Sequence, residues 1–362
     1  MKLELTPKER ILNALRGEET DRIPWCPFLA YYWESLPKEV RNKGQLVYLQ
    51  EMKADPLLRG SHQLFETHYK NCNISNKQNG EKRFVQYETP VGTLKMTYSY
   101  AESANSWFLT GHPVETEEDF KILQYIYEKM EITENLEGFE TDVKQVKDNA
   151  LFLPLLGVCM KTPFQALLEQ WCGTENLIYA LYDFPETVEE CLNTMMEKDM
   201  KTAEISVESS AEALLFYEDS STTNISPALF EKYTLPMVNA WGKLLHKNGK
   251  ILIHHACGHI RDLLPVMNRS EADVIESISP PPTGNIDISE AFDLLGQEKA
   301  LIGGIEPTFF LKCTDEELEE RVKMLQECAK GRRFVLANSD SCPPGVEYEK
   351  FRLISNLVRE RI

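Results

Sequence analysis

Residues 251–304 read ILIHHACGHIRDLLPVMNRSEADVIESISPPPTGNIDISEAFDLLGQEKALIGG, and this segment shows the clearest succession of secondary-structure signals in the chain. It holds short apolar runs that predict strands, because each is bounded by turn residues and is too short for a buried helix. These runs lie at 251–255, 274–278 and 300–304. The amphipathic segments between them, 260–267 and 289–295, predict helices. Strand, loop and helix in repeated succession imply parallel strands joined by right-handed crossovers.

The same alternation continues in both directions along the chain. Further strands are predicted at 23–29, 152–158, 213–217 and 334–338, and further helices at 228–246 and 315–329. An eighth strand is expected near 52–58, where the pattern is poor. The α/β class and this order favour a (β/α)8 TIM barrel. The competing architecture is a doubly wound open sheet, but no G-x-G-x-x-G motif follows any of these strands.

The segment from about 66 to 140 departs from this alternation. Residues 84–88 and 93–100 flank Thr89-Pro90-Val91-Gly92, a pattern typical of a β-hairpin. Thr116 then caps a predicted helix. We interpret the segment as an insertion or lid within a single (β/α)8-barrel domain that spans 1–362.

Charge and composition argue against several classes of protein. The net charge of −18 leaves no basic stripe for the phosphates of nucleic acid or for an anionic membrane surface. No apolar stretch approaches the roughly 20 residues that span a bilayer, and the charged start of the chain has no hydrophobic signal core. A cytoplasmic location is therefore expected. The nine cysteines then read as reduced thiols, and any that act are more readily metal ligands than disulfide partners.

His255-Ala256-Cys257-Gly258 is the strongest chemical signal in the sequence. Side chains two residues apart in a strand point to the same side, so His255 and Cys257 are expected to face together, whereas His254 faces the other way. Active sites of α/β barrels lie at the carboxyl ends of the strands, and imidazole beside thiolate suits zinc. The alternative is that both are packed residues without a ligand, since H-x-C pairs occur by chance and buried cysteines are commonly inert.

Two more side chains are candidate ligands at the same end of the barrel. Cys342 follows the strand predicted at 334–338, and Glu276 lies on the strand predicted at 274–278. Three protein ligands with an exchangeable fourth position are typical of a catalytic zinc site. We therefore predict a metal site formed by His255, Cys257 and Cys342, with Glu276 as a candidate fourth ligand.

The segment His255-Ala256-Cys257-Gly258, followed by 260–264, resembles the H-x-C-G zinc motif of corrinoid methyltransferases of the methylcobalamin:coenzyme M methyltransferase type. These enzymes belong to the uroporphyrinogen decarboxylase superfamily. Further segments resemble that superfamily in the same order along the chain, at 6–11, 21–24, 226–230 and 303–305. Cys342 also falls where the family has its late cysteine ligand. The resemblance implies a (β/α)8 barrel and a zinc-dependent methyltransferase.

The chain departs from true uroporphyrinogen decarboxylase after the first predicted strand. That enzyme holds propionate groups with an R-Q-A-G-R segment, whereas residues 27–33 read PFLAYYW and contain no arginine. A pocket for several carboxylates needs cations with bidentate geometry. The departure favours methyl transfer over decarboxylation. It leaves Tyr31, Tyr32 and Trp33 as candidate substrate contacts, or alternatively as plain wall or core.

The resemblance also implies cofactors and partners. Zinc would act as a Lewis acid on the group that exchanges a methyl with cobalt, and the substrate would be a small methylated or thiol compound. No D-x-H-x-x-G corrinoid-binding signature occurs, so the cobalamin is expected on a separate corrinoid protein. Other polar residues at strand ends are pocket candidates: Glu218, Asp219, Glu306 and residues 338–340.

Among those pocket candidates, Glu218, Asp219 and Asn338 are predicted to be catalytic. The alternative for each is an ordinary helix cap or a solvated loop group. Two rival functions stay open. One is a uroporphyrinogen-decarboxylase-like enzyme that acts on another small substrate, and the other is a non-catalytic barrel that serves as a binding subunit.

Overall fold

Strands and helices alternate along much of the chain in the computed structural model, which describes residues 4–102 and 106–360. The strands are β1 (Leu57–Gln63), β2 (Phe65–Tyr69), β3 (Asn73–Asn79), β4 (Lys82–Thr89), β5 (Gly92–Ala101), β6 (Ser106–Gly111), β7 (Met130–Glu134), β8 (Leu151–Leu155), β9 (Ala213–Glu218), β10 (Ile251–Ala256), β11 (Val274–Ile278), β12 (Ala300–Ile305) and β13 (Phe334–Asn338). The helices are α1 (Pro7–Arg16), α2 (Ala30–Ser35), α3 (Lys38–Arg41), α4 (Gln45–Glu51), α5 (Glu117–Lys129), α6 (Glu137–Val146), α7 (Pro163–Ala166), α8 (Thr174–Asp183), α9 (Pro185–Val207), α10 (Pro227–Leu229), α11 (Leu235–Lys247), α12 (Leu264–Met267), α13 (Ile288–Leu295), α14 (Pro307–Lys312), α15 (Asp315–Cys328) and α16 (Tyr348–Leu357).

These elements divide into two compact units. The first comprises Met1–His62, Glu137–Leu155 and Ser210–Ile362, and the second comprises Gln63–Leu136 and Leu156–Ser209. The insertion predicted at about 66–140 falls mostly in the second unit, together with residues 156–209, which the sequence pattern had not set apart. The interpretation of 1–362 as one domain stays a prediction.

The first unit is built on a seven-stranded sheet with the order β1-β8-β9-β10-β11-β12-β13. Every neighbouring pair from β8 to β13 is parallel, and Ile253 of β10, for example, pairs with Leu215 on one side and Val274 on the other. The α/β class and the parallel pairing predicted from the alternation are therefore confirmed.

The strand predicted at 23–29 is not formed as a strand. Trp25 makes an isolated parallel bridge to Leu336 of β13. The Cys26 backbone N–H donates to the Leu336 carbonyl at 2.9 Å, and the Leu336 N–H donates to the Pro24 carbonyl at 3.0 Å. Pro24 and Pro27 flank this bridge and have no N–H to donate, which prevents the ladder from extending. On the other side, the Asp55 N–H donates to the Trp25 carbonyl at 2.7 Å, just before β1 begins.

An apolar core fills the amino-terminal end of this sheet. α1 begins with a capping box, in which Thr6 accepts a hydrogen bond from the Glu9 backbone and the Glu9 carboxylate accepts one from Thr6. Its apolar face packs with alternate residues of the strands: Leu151, Leu153, Leu155, Ala213, Leu215, Ile251, Ile253, Val274, Ala300, Ile302, Val335 and Ala337. Because Ile251 and Ile253 face this core, His255 two residues further on also faces inward, at the carboxyl end of the sheet.

The second unit holds the remaining strands. β3, β4, β5 and β6 form a four-stranded antiparallel sheet, and β2 pairs with β7. The predicted hairpin is confirmed, since Thr89 of β4 pairs with Gly92 of β5. Thr116 caps α5 through a capping box with Asp119, which confirms the predicted helix start. Within the described part of the chain, no helix combines the length and the apolar character that a membrane span requires.

Asp199, in α9 of the second unit, is a buried carboxyl that should make stability depend on pH. It accepts a hydrogen bond from the Val158 backbone at 2.7 Å. Burial raises the pKa of Asp199 from 3.8 to about 8, although that hydrogen bond opposes the rise. The folded chain therefore holds this proton more tightly than the unfolded chain. The contribution of Asp199 to stability is full at low pH and is lost as the pH rises towards 8.

We expect the free energy of unfolding of wild type, relative to Asp199→Asn, to fall by more than about 1 kcal/mol between about pH 5 and pH 8, at ~1.4 kcal/mol for each pKa unit. Urea denaturation at a series of pH values measures this difference. A difference that does not change with pH would contradict the role given to Asp199.

Candidate metal centre

His255 and Cys257 face the same side at the carboxyl end of β10. The His255 side chain is 4% exposed, and its ring packs edge-on against Tyr217 and Phe28. Cys257 follows the strand directly, where its backbone N–H donates to the Glu218 carbonyl at 3.0 Å. The shared orientation predicted from the spacing of the two residues is confirmed by the cluster that they form with Asp340, in which one ligand atom of each lies within 4.8 Å of the others.

Asp340 completes this cluster from the loop after β13. Its Oδ1 lies 3.7 Å from His255 Nε2, and its side chain is 35% exposed. The loop is held by Asn338, whose Nδ2 donates to the carbonyls of Asp340 at 2.6 Å and Phe28 at 2.8 Å, and whose Oδ1 accepts from the Phe28 N–H at 2.9 Å. Asn338, predicted to be catalytic, therefore has its amide engaged in holding backbone. Its catalytic role stays a prediction.

The donor set fits zinc. Imidazole nitrogen, thiolate sulfur and carboxylate oxygen are the donors that Zn²⁺ takes in proteins, whereas Mg²⁺ and Ca²⁺ prefer oxygen alone. Two of the donors come from one rigid strand end and the third from a loop. Asp340 was only a pocket candidate from the sequence, because a carboxylate in a loop carries no spacing signal.

Glu276 lies on the Nδ1 side of the His255 ring, whereas Asp340 of the cluster lies on the Nε2 side. Its Oε2 accepts from His255 Nδ1 at 2.9 Å, and its Oε1 accepts from Arg59 Nε at 2.6 Å. Burial alone would raise the pKa of Glu276, but the charge of Arg59 and the hydrogen bond from His255 outweigh it and lower that pKa to about 2. Both oxygens are thus engaged on the Nδ1 side of the ring, while Asp340 approaches Nε2. Ligation by Glu276 stays a prediction that this geometry does not favour.

Cys342 is two residues from Asp340 but is not part of the cluster. It is fully buried, and its thiol lies 3.7 Å from the Pro343 carbonyl. Burial raises the pKa of this thiol. Its backbone fixes the loop, because the Cys342 N–H donates to the Phe28 carbonyl and its carbonyl accepts from Tyr32. Its role as the third ligand stays a prediction.

Glu218 and Asp219, also predicted to be catalytic, are placed elsewhere. Ala213 and Leu215 of β9 face the core, so Glu218 points to the outer side of the strand, where it lies 2.9 Å from Nε2 of the equally buried His254. Asp219 accepts from Asn224 at 2.9 Å and from the Ser221 N–H at 3.3 Å, and so shapes its own loop. Their catalytic roles stay predictions.

Tyr217 is a site residue that the sequence analysis missed. Its ring centroid lies 5.0 Å from that of His255 and 6.2 Å from that of Phe28. Counting by twos from Ala213 would have placed it on the inner side of β9. Arg59 was missed for a different reason. It lies in β1, where apolar and polar residues alternate too poorly to show which side chains face inward.

A cavity of about 380 Å³ lies in the first unit, and one of its lining residues, Phe28, also packs against the His255 ring. Tyr31 and Trp33 line it, as do Phe28 and Arg59. Tyr32 does not: it is 4% exposed, and its hydroxyl lies 2.9 Å from that of Tyr48. Of the three predicted substrate contacts, Tyr31 and Trp33 are thus accessible from this cavity, and Tyr32 packs in the core.

Gly258 follows the candidate metal ligands His255 and Cys257, and its position leaves no room for a side chain. Its φ is +89°, and a Cβ would lie 2.6 Å from Ser221 Cβ. We expect Gly258→Ala to lower the free energy of unfolding by about 1–3 kcal/mol and to weaken metal binding by displacing Cys257. Gly249→Ala is the matched control, because Gly249 has φ +69° with no atom within 4 Å of its Cβ position. Equal losses in chemical denaturation of the two variants would mean that contact with Ser221 is unimportant.

The curated relatives are uroporphyrinogen decarboxylases. The one from Trichlorobacter lovleyi is 27% identical over 164 residues, and the one from Geobacter sulfurreducens is 24% identical over 164 residues. Each match covers 45% of this chain and 45% of the relative, so the chain spans less than half the length of the curated relatives it matches.

A solved structure matches over nearly the whole length. A methyltransferase from Methanosarcina mazei superposes with a TM-score of 0.63 at 15% identity, covering 98% of this chain and 99% of that one. At this identity the likeness shows a shared fold. The family model of uroporphyrinogen decarboxylase (URO-D) matches residues 90–361, well over half of the sequence. The chain therefore belongs to the uroporphyrinogen decarboxylase family.

Proposed function

We propose that this protein is a zinc-dependent methyltransferase, which moves a methyl group between a small methylated or thiol substrate and the cobalt of a separate corrinoid protein. The observation that carries the proposal is the cluster of His255, Cys257 and Asp340 ligand atoms within 4.8 Å at the carboxyl end of parallel strands. The likeness in fold to the Methanosarcina mazei methyltransferase supports it.

His255 Nε2 and Cys257 Sγ would hold the zinc, and the loop after β13 would supply the third ligand. Asp340 is the nearer group in this geometry, and Cys342 is the ligand expected from the resemblance. When bound, zinc would supply a Lewis acid for the heteroatom that gains or loses the methyl group. The exposure of Asp340 leaves the cluster open on that side, as an exchangeable coordination position requires.

The protein's own residues would bind the substrate and exclude water. Phe28 and Tyr217 cover the His255 ring, and the neighbouring cavity, lined by Tyr31 and Trp33, would hold the organic part of the substrate. Arg59 also lines the cavity, but its charge is compensated by Glu276. Such a cavity suits a small, largely uncharged substrate better than one bearing several carboxylates.

We also propose that the sheet closes as a (β/α)8 barrel, with residues 24–26 as the remaining strand. The support is the pair of hydrogen bonds from this segment to Leu336 of β13 and the bond from Asp55 to Trp25 on the other side. Closure would bring the loop after β13 beside the segment of Phe28, as the Asn338 contacts require.

The test is to mix the purified, zinc-loaded protein with cob(I)alamin and a panel of methylated amines, ethers and thiols. We expect at least one donor to convert the cob(I)alamin spectrum to that of methylcobalamin, or a thiol to reverse the conversion. Uroporphyrinogen is assayed in parallel, because the curated relatives carry that activity in their name. Coproporphyrinogen formation without any methyl transfer would overturn the proposal in favour of the decarboxylase.

A further inference from the structure

Two buried glutamate–histidine pairs lie on opposite faces of β10. On the inner face, Glu276 Oε2 accepts from His255 Nδ1 at 2.9 Å, and on the outer face Glu218 Oε2 lies 2.9 Å from His254 Nε2. The pairs have the same chemistry and length. They differ in two ways. Glu276 of the inner pair also binds Arg59, whose side chain is 2% exposed, and His255 of the inner pair belongs to the candidate metal cluster whereas His254 does not.

The Glu276 carboxylate is fixed from two directions. Arg59 Nε donates to Oε1 at 2.6 Å, and the Arg59 guanidinium also donates to the Cys26 carbonyl at 3.2 Å. Arg59 is therefore tied to the backbone of one segment and to the carboxylate of another. A charged hydrogen bond of this kind is both strong and directional.

This arrangement sets the state of the His255 ring. A carboxylate can only accept, so Nδ1 must carry a proton, and in the neutral ring Nε2 is then left with its lone pair free. Nε2 is the nitrogen that Asp340 approaches. An imidazole that ligates a metal commonly donates its other N–H to a carboxylate, which fixes the tautomer and makes the ligand more basic.

From these contacts we infer that Arg59 and Glu276 are positioning residues for the metal ligand His255, and that Glu276 itself is not a ligand. The inference rests on the proposed zinc site. It assigns Glu276 the task of holding the Nδ1–H tautomer, and Arg59 the task of keeping the carboxylate away from the metal.

Glu276→Gln is the sharpest variant. A glutamine has one acceptor oxygen and one NH₂ group, but Arg59 and His255 Nδ1 both donate to this position. If the oxygen faces Arg59, the NH₂ group faces Nδ1 and favours the tautomer with its proton on Nε2. A protonated Nε2 has no lone pair for a metal ion. We expect zinc affinity to fall by about 10–100-fold, the usual cost of losing such a partner. Glu276→Asp, which keeps the charge, is expected to recover part of this loss.

The experiment measures zinc affinity by competition with a chromophoric chelator, and the ligand field of the Co²⁺-substituted protein by its visible spectrum. Glu218→Gln is the matched control, since it alters the equivalent outer pair, and its zinc affinity is expected to equal that of wild type. Arg59→Gln keeps the carboxylate but removes the charge that holds it, and its affinity is expected to lie between those of wild type and Glu276→Gln. It also keeps the test open if Glu276→Gln does not fold.

The outcomes separate this inference from the proposed function. A wild-type chain that binds no zinc overturns both. Tight zinc binding in wild type that is unchanged in Glu276→Gln and Arg59→Gln overturns the inference alone. So does a Co²⁺ spectrum showing that Glu276→Gln has lost a coordinating oxygen, because Glu276 would then be a ligand. A tenfold or greater loss in Glu276→Gln, with Glu218→Gln unaffected and the spectrum still that of the same ligand set, supports the inference.

Discussion

Replacing Cys257 by serine is expected to abolish zinc binding and methyl transfer while leaving the fold intact. Cys257 lies just beyond β10, is partly exposed, and shares its cluster with His255 and Asp340. Serine has nearly the same volume but is a much poorer zinc ligand than a thiolate. We expect zinc content to fall from about one atom per chain to near zero. Because a Lewis acid is worth several kcal/mol and each 1.36 kcal/mol is tenfold in rate, transfer should fall by about a thousandfold or more.

Elemental analysis and the rate of methylcobalamin formation measure these effects, and thermal unfolding checks the fold. Cys328→Ser is the control, because Cys328 is also partly exposed but lies at the end of α15, where its thiol bonds to the Leu325 carbonyl. Full zinc content in Cys257→Ser would exclude the proposed metal centre.

Comparing Asp340→Ala with Cys342→Ala in the same assays decides the third ligand, since only removal of the true ligand should release zinc from a folded chain.

The largest effect on stability is expected at Asp55. This carboxylate is 1% exposed and accepts from Arg10 at 2.7 Å, from Arg22 at 2.7 and 2.8 Å, and from the Trp25 backbone at 2.9 Å. It thereby joins α1 to the segment 22–25 that bonds to β13. Asp55→Ala would remove the carboxylate partner of Arg22 and leave the buried Arg10 with Asp21 alone. Removing one partner from a buried ion-pair network typically costs about 3–5 kcal/mol.

Urea denaturation of Asp55→Ala and wild type measures this loss. Asp262→Ala is the matched control, because its pair with Arg261 is exposed and 3.7 Å long, and such surface pairs contribute about 0–1 kcal/mol. A loss at Asp55 no larger than that at Asp262 would mean that the network does not hold this part of the fold. The same result would weaken the proposal that residues 24–26 close the barrel.

Local patterns were sufficient for the elements that build the sheet. β8 to β13 each lie within a few residues of a predicted strand, because a short apolar run between turn residues has few alternatives to a buried parallel strand. The strand predicted at 23–29 is wrong, because only Trp25 forms a bridge there and a proline on either side limits further pairing. The strand expected near 52–58 lies a few residues further along the chain, as β1 (Leu57–Gln63). The second half of β1 is polar and largely exposed, which weakens the apolar pattern.

The spacing of the residues was enough to predict that His255 and Cys257 face together and that His254 faces away, because side-chain alternation is a local property of an extended backbone. It also determined the family, since ordered motifs survive in the linear chain. The groups that surround His255, in contrast, come from distant parts of the chain and are brought together by the fold. Arg59 and Glu276 are 217 residues apart in sequence, and Asp340 lies beyond both, in a loop held by Asn338. Contacts over such distances depend on how strands are ordered around the sheet and where each loop is anchored. No local pattern encodes that order, which is why the sequence offered Glu276 only as a candidate ligand, whereas its contacts with His255 Nδ1 and Arg59 are seen only in the folded chain.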